Sequence, residues 1–149
     1  MDHEFRYSGA VDRARNGFAR QGMMGTLKAQ MEVLKPGFCE ITALIRPEVS
    51  QQHGFAHAGL AFAIGDSAAG FAAQSLMAEG LEVLTTEMKI HLMAPAQGNS
   101  LVARGSVLKS GRTLTVAEAK VYAQTGDTEV LVAVLLGTMM AVSTHGGGK

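Results

Sequence analysis

The sequence predicts an α+β domain in which an antiparallel sheet of about six strands wraps around one long apolar helix, preceded by a short helix. Three observations predict it. The run from Gly59 to Ala73 is apolar or small except at Asp66 and Ser67, as a buried helix requires. After Gly80 the pattern changes to a period of two, the signature of strands. Short turn signals containing glycine or proline then divide the remaining chain into pieces of strand length.

Val11, Ala14 and Phe18 recur at helical spacing, so residues 9–22 read as a short amphipathic helix. Two extended stretches follow, 26–33 and 39–46, separated by the turn Lys35-Pro36-Gly37 and closed by Pro47. Residues 51–59 read as loop. The long helix is expected to run to Glu79, with Gly80 as its stop. Thr86, Met88, Ile90 and Leu92 alternate with Thr85, Glu87, Lys89 and His91, a half-buried strand ended by Pro95. Residues 101–109 and 113–124 form a hairpin about Ser110-Gly111-Arg112, and Thr125-Gly126-Asp127 leads into a last strand over 129–142. That strand is apolar on both faces, so both faces need cover. One helix covers one side, and a second protomer is expected on the other. The whole chain, 1–149, reads as one domain with its core over about 20–142 and a disordered tail over 143–149.

Composition excludes several functions. The chain has 149 residues, 47% of them hydrophobic, and 13 basic residues balance 13 acidic ones. Such a chain builds a sizeable core and carries no basic stripe for nucleic acid. Aromatic residues make up 5% and tryptophan is absent, which argues against a base-stacking platform. The single cysteine, Cys39, alternates with Ile41, Ala43 and Ile45 and is expected in the core of a protein kept in a reducing cytoplasm. No secretory leader is expected from the first residues, and the polar groups within 59–78 argue against a membrane span.

Asp66 is the anomaly. An ionised carboxylate in an apolar helix costs several kcal/mol unless a neighbour pairs with it or its charge is otherwise stabilised. His57 stands nine residues earlier, at the polar, glycine-rich entrance to the same helix. Bland readings exist for both: a helix acid bonded to a core hydroxyl, and a helix-capping histidine. His53 and His57 have the i, i+4 spacing of a metal pair, but no third ligand is apparent and no metal is expected.

Gln51, Gly54, His57-Ala58-Gly59 and Asp66 together resemble the hotdog-fold acyl-CoA thioesterases of the PaaI-like, phenylacetate-degradation group. That family pattern is an amide residue, a glycine, His-Gly-Gly, and an acid seven residues after the last of those glycines, as Asp66 is after Gly59. The strand from Leu84 to Ala96 and the hairpin from Val107 to Leu114 are similar to the family's next elements. Ala58 stands in place of the middle glycine and keeps its backbone N–H; Gln51 stands where many members carry asparagine.

The resemblance implies thioester hydrolysis without a cofactor, at sites shared between subunits of a homodimer or a dimer of dimers (a homotetramer). It implies Asp66 as nucleophile or general base, and the Ala58 and Gly59 amides at the helix N-terminus as oxyanion donors. Gln51 and His57 complete the catalytic group. Thr85 matches a hydroxyl position that orients water or substrate, and Lys109, Ser110, Gly111 and Arg112 match a turn suited to coenzyme A. Phe62, Phe71 and Met88 are candidate walls of the acyl pocket. Helix geometry adds a constraint: nine residues span about 13 Å and turn His57 and Asp66 to opposite sides, so one chain cannot bring both to one thioester. Two other classes stay open. A hotdog hydratase or dehydratase on acyl-CoA or acyl-carrier protein has its Asp and His five apart in a marked loop, which is not found here. A non-catalytic acyl-CoA-binding module needs no acid on the helix.

Overall fold

A computed structural model describes residues 2–144. In chain order they form α1 (Ala10–Ala19), α2 (Gly22–Thr26), β1 (Gln30–Lys35), β2 (Phe38–Leu44), α3 (Ala58–Gln74), β3 (Leu81–Leu92), β4 (Ser100–Ser110), β5 (Leu114–Thr125) and β6 (Thr128–Ser143). All strand pairs are antiparallel, in the order β1-β2-β4-β5-β6-β3, so β1 and β3 are the sheet's edges. The sheet wraps α3, which is the α+β hotdog arrangement the sequence predicts.

The small residues of α3 explain how close the wrap is. A Cβ on Gly105 of β4 would collide with the Ala68 carbonyl group and stand 2.5 Å from the Ala69 nitrogen. Helix backbone therefore rests on strand backbone, which only glycine against alanine permits. Around this contact Ile41, Ile64, Leu101, Val121, Leu135 and Met139 are fully buried. Cys39 is also buried, and burial pushes its thiol up to about 12, so it is core rather than a reactive group.

Several boundaries differ from the sequence reading. Thr26 ends the short helix α2 instead of starting a strand, and Lys28, at φ 51°, turns the chain into β1. The central helix stops at Gln74, not Glu79. Ser75 terminates it: its Oγ donates to the Ala72 carbonyl at 2.7 Å and accepts from the Gly37 N–H at 2.7 Å. A side chain that bonds back into the last turn and across to a hairpin offers the chain an alternative to further helix. Gly80, at φ 81°, serves the turn before β3. The tail expected from residue 143 is shorter: Ser143 ends β6, and the Thr144 N–H donates to the Gly80 carbonyl at 3.1 Å. Residues 145–149 of that expectation lie outside the described residues.

β6 is apolar on both faces as read. Ala133, Leu135 and Met139 are buried, whereas Leu136 on the opposite face is exposed. On that uncovered side Leu84, Met140 and Leu114 are paired neighbours across β3, β6 and β5. Polar links join separate elements. Arg104 donates to Glu40 at 2.7 Å and, through both terminal nitrogens, to Glu129 at 2.8 and 2.7 Å, while its guanidinium lies 4.9 Å from the Tyr122 ring centre. Arg13 of α1 meets Glu82 at 3.1 Å, and Glu82 also accepts from Gln74 at 2.9 Å, fixing α1 against the end of α3. No helix is long and apolar enough to cross a membrane.

Candidate active site

The loop before α3 is shaped by its own hydrogen bonds. The Gln51 N–H donates to Phe55 at 2.8 Å and the Gly54 N–H to Gln51 at 3.0 Å, with Gly54 at φ 84°. The Gln51 side-chain oxygen accepts from the His53 N–H, which leaves its Nε2 hydrogens free to donate outward. His57 is the N-cap of α3. Its Nδ1 accepts from the Gly59 N–H at 2.8 Å, which places the proton of the neutral ring on Nε2. Gly59 permits this fold-back, since a Cβ there would stand 3.0 Å from Nδ1.

One expectation is thereby sharpened. Of the two amides singled out, Gly59 is taken by His57, and Ala58 is the helix N-terminal donor open to an external acceptor. Gln51, His57 and Ala58 line one cavity of about 210 Å³ with Phe55, Ala61 and Leu92.

Asp66 lies two turns further on and opens into a different cavity of about 190 Å³, lined by Gln21, Ser67, Gly70, Phe71, Val83, Leu84 and Thr85. The two cavities share no residue. Burial raises the Asp66 carboxyl above its ordinary value, and the Thr85 hydroxyl, which donates to Oδ1 at 2.8 Å, pulls it back down. Both bland readings thus describe real contacts: Asp66 does meet a hydroxyl and His57 does cap its helix. Neither contact uses up the group, because the carboxylate keeps a free oxygen facing the cavity and the imidazole keeps Nε2.

Thr85 reaches Asp66 because of a β-bulge. The pairing of β3 with β6 shifts between Thr85 and Glu87, so Val83 and Thr85 face α3 before the bulge while Met88 and Ile90 pack on the core after it. Strict alternation had grouped Thr86 with Met88. The Thr86 hydroxyl instead donates to the Thr138 carbonyl at 2.9 Å. Lys109 and Ser110 end β4, and Gly111 and Arg112 follow in the β4–β5 turn, at the end of the sheet where β3 starts. Ser110, Gly111 and Arg112 lie beside Leu76 and Leu81, and none of the four lines either cavity. Gly111 is required there, because its Cβ would stand 2.5 Å from the Leu114 carbonyl oxygen. Of the three candidate walls, Phe71 lines the Asp66 cavity, whereas Phe62 and Met88 line neither.

Sequence reasoning missed Gln21 and Ser67. The Ser67 hydroxyl donates to the Gln21 side-chain oxygen at 3.3 Å, across 46 residues. Ser67 stood beside Asp66 as the other polar residue of the run and was available as a clue. For Gln21 nothing local gives a signal, because only the packing of α1 on α3 brings it there.

The thioesterase superfamily model matches residues 53–130, a span that starts at this loop and includes Asp66, Thr85 and the β4–β5 turn. The chain belongs to the thioesterase superfamily. A thioesterase family protein from Silicibacter pomeroyi is similar over nearly its whole length: 43% identity, TM-score 0.88, covering 91% of this chain and 99% of that one. This thioesterase also shares its fold with a thioesterase from Haemophilus influenzae (15% identity, TM-score 0.83, 97% and 99% covered). The PaaI protein of the Escherichia coli phenylacetic acid degradation operon has the same fold (20% identity, TM-score 0.80, 90% and 94% covered). No curated protein matches it. As a superfamily member this thioesterase is a thioester hydrolase, and its fold is the hotdog fold.

Proposed function

We propose that the enzyme hydrolyses a small, medium-chain or aromatic acyl-CoA to the free acid and coenzyme A, at sites built from two subunits. One observation carries the reading: both cavities border the unpaired edge strand β3, the Asp66 cavity at its start through Val83 and Thr85, the His57–Ala58 cavity at its end through Leu92. Two copies joined antiparallel along β3 bring the start of one strand beside the end of the other. Asp66 of one subunit then faces Ala58, His57 and Gln51 of its partner, twice per dimer. The row of exposed Leu84 and Leu114 with half-buried Met140 between them supports a further step, two dimers packing into a tetramer.

In this arrangement the thioester oxygen accepts from the Ala58 N–H at the positive end of α3 and from the Gln51 amide. Asp66 either attacks the carbonyl carbon, expelling the coenzyme A thiolate and leaving a mixed anhydride for water to cleave, or takes a proton from the attacking water. Thr85 holds the carboxylate for either route. Lys109 and Arg112, which have no ion-pair partner among the described residues, suit the phosphates of coenzyme A, with Ser110 and Gly111 shaping the turn. The acid on α3 counts against a purely binding module.

A panel of short, medium, long and aromatic acyl-CoAs, with released thiol followed by a thiol-reactive dye, tests the proposal. Thiol release by the wild type that Asp66→Ala abolishes is the expected result. Absence of release across the panel overturns the reading.

A further inference from the structure

The Asp66 cavity has one wall that no part of the hydrolytic proposal uses. Gln21 caps α2 from the turn after α1, and its side chain joins Asp66, Ser67, Gly70, Phe71, Val83 and Thr85 around the same space. Its position is held from below. Phe71, in the cavity floor, meets Phe18 edge-on with ring centres 5.9 Å apart, and the Gln21 N–H donates to the Phe18 carbonyl at 3.0 Å. The side chain is oriented by Ser67, whose hydroxyl donates to its oxygen. That bond leaves the amide nitrogen, on an exposed residue, with two hydrogens to donate and no acceptor among the described residues. The amide thus borders the same cavity as the carboxylate, whose lining also includes the apolar Phe71, Val83 and Leu84.

We propose that Gln21 is a specificity residue that selects acyl groups carrying an oxygen acceptor, such as a hydroxyl or keto group, a few carbons from the thioester. The inference rests on the acyl-CoA thioesterase reading and adds the acyl class to it. Discrimination follows from the unpaired amide, because an oxygen-free acyl group that covers Gln21 strips water from its N–H groups and returns no hydrogen bond.

The test compares kcat/KM for pairs of acyl-CoAs of equal length, with and without a hydroxyl or keto group, in wild type, Gln21→Leu and Ser67→Ala. Wild type is expected to favour the oxygenated member about tenfold or more. Gln21→Leu should abolish or reverse that preference, read as the ratio of the two kcat/KM values. Ser67→Ala, which only loosens the amide, should reduce the preference in part. Equal rates on both members in an active wild type overturn the inference and leave the hydrolase reading standing. So does a Gln21→Leu enzyme that loses both activities in the same proportion, since that marks a structural role for the turn. An inactive wild type removes both readings together.

Discussion

Thr85 Oγ1 lies 2.8 Å from Asp66 Oδ1, joining an edge strand to the middle of the central helix at a carboxylate that burial destabilises in its charged form. The bond holds the acid and also tunes it.

Removing the hydroxyl with Thr85→Val should leave burial as the dominant influence and raise the Asp66 pKa further. A carboxylate that works ionised gains activity as pH rises through its pKa. The acidic limb of the kcat/KM profile should therefore move to higher pH in Thr85→Val and stay in place in Thr85→Ser. At neutral pH the loss should be about tenfold. An unshifted limb would show that Thr85 does not tune the acid.

Asp66→Asn should lower kcat by on the order of 10³-fold or more without unfolding the protein. Stability gives an independent sign. Folding raises this carboxyl pKa, so between the ordinary value and the folded value the native state binds the proton more tightly than the unfolded state. The carboxylate thus destabilises the fold above that window, and the cost disappears as pH falls through it. In urea titrations Asp66→Asn should be at least as stable as wild type at pH 7, with the difference shrinking toward acid pH.

Ala58→Pro offers a clean deletion of the proposed oxyanion donor. Proline is favoured at the first helical position, and His57, at φ −63° and ψ 144°, already has the extended conformation that a following proline demands. The variant should fold normally and lose activity about 10²-fold or more. Refolding it with Asp66→Ala in equal amounts should restore about a quarter of wild-type activity: half the dimers are mixed, and each mixed dimer has one intact site of two. No recovery on mixing would mean that each site lies within one chain.

Gly105→Ala should destabilise the fold by roughly 3 kcal/mol, at the upper end of overpacking costs, because the new methyl group meets helix backbone and not a movable side chain. A midpoint in urea close to wild type would show that α3 can retreat from β4.

The architecture was legible because burial writes itself into periodicity. The small-residue run marked α3, and the turn signals bounded β4, β5 and β6 to within a residue at each end. The errors fall where long-range bonds decide. Ser75 ends α3 by bonding to Gly37, which local propensity does not register, and the bulge at Thr86 changes which hydroxyl faces the helix. Asp66 stood out by chemistry and His57 by its place at the helix entrance. Gln21 is 45 residues from Asp66 in sequence, and only the packing of Phe18 on Phe71 brings the two together.

The backbone contact of Gly105 with Ala68 also separates what the enzyme can vary from what it cannot. Helix and strand meet without side chains between them, so α3 has no slack along or across β4, and Asp66 is carried on the least deformable part of the molecule. At the α1–α2 turn itself, Gln21 is exposed and meets α3 through one long hydrogen bond, beside the Phe18–Phe71 contact. Drift in the turn leaves the carboxylate where it is. On the proposed roles of Asp66 and Gln21, a lineage built on this plan can change its diet by editing a surface turn while inheriting its hydrolytic machinery intact.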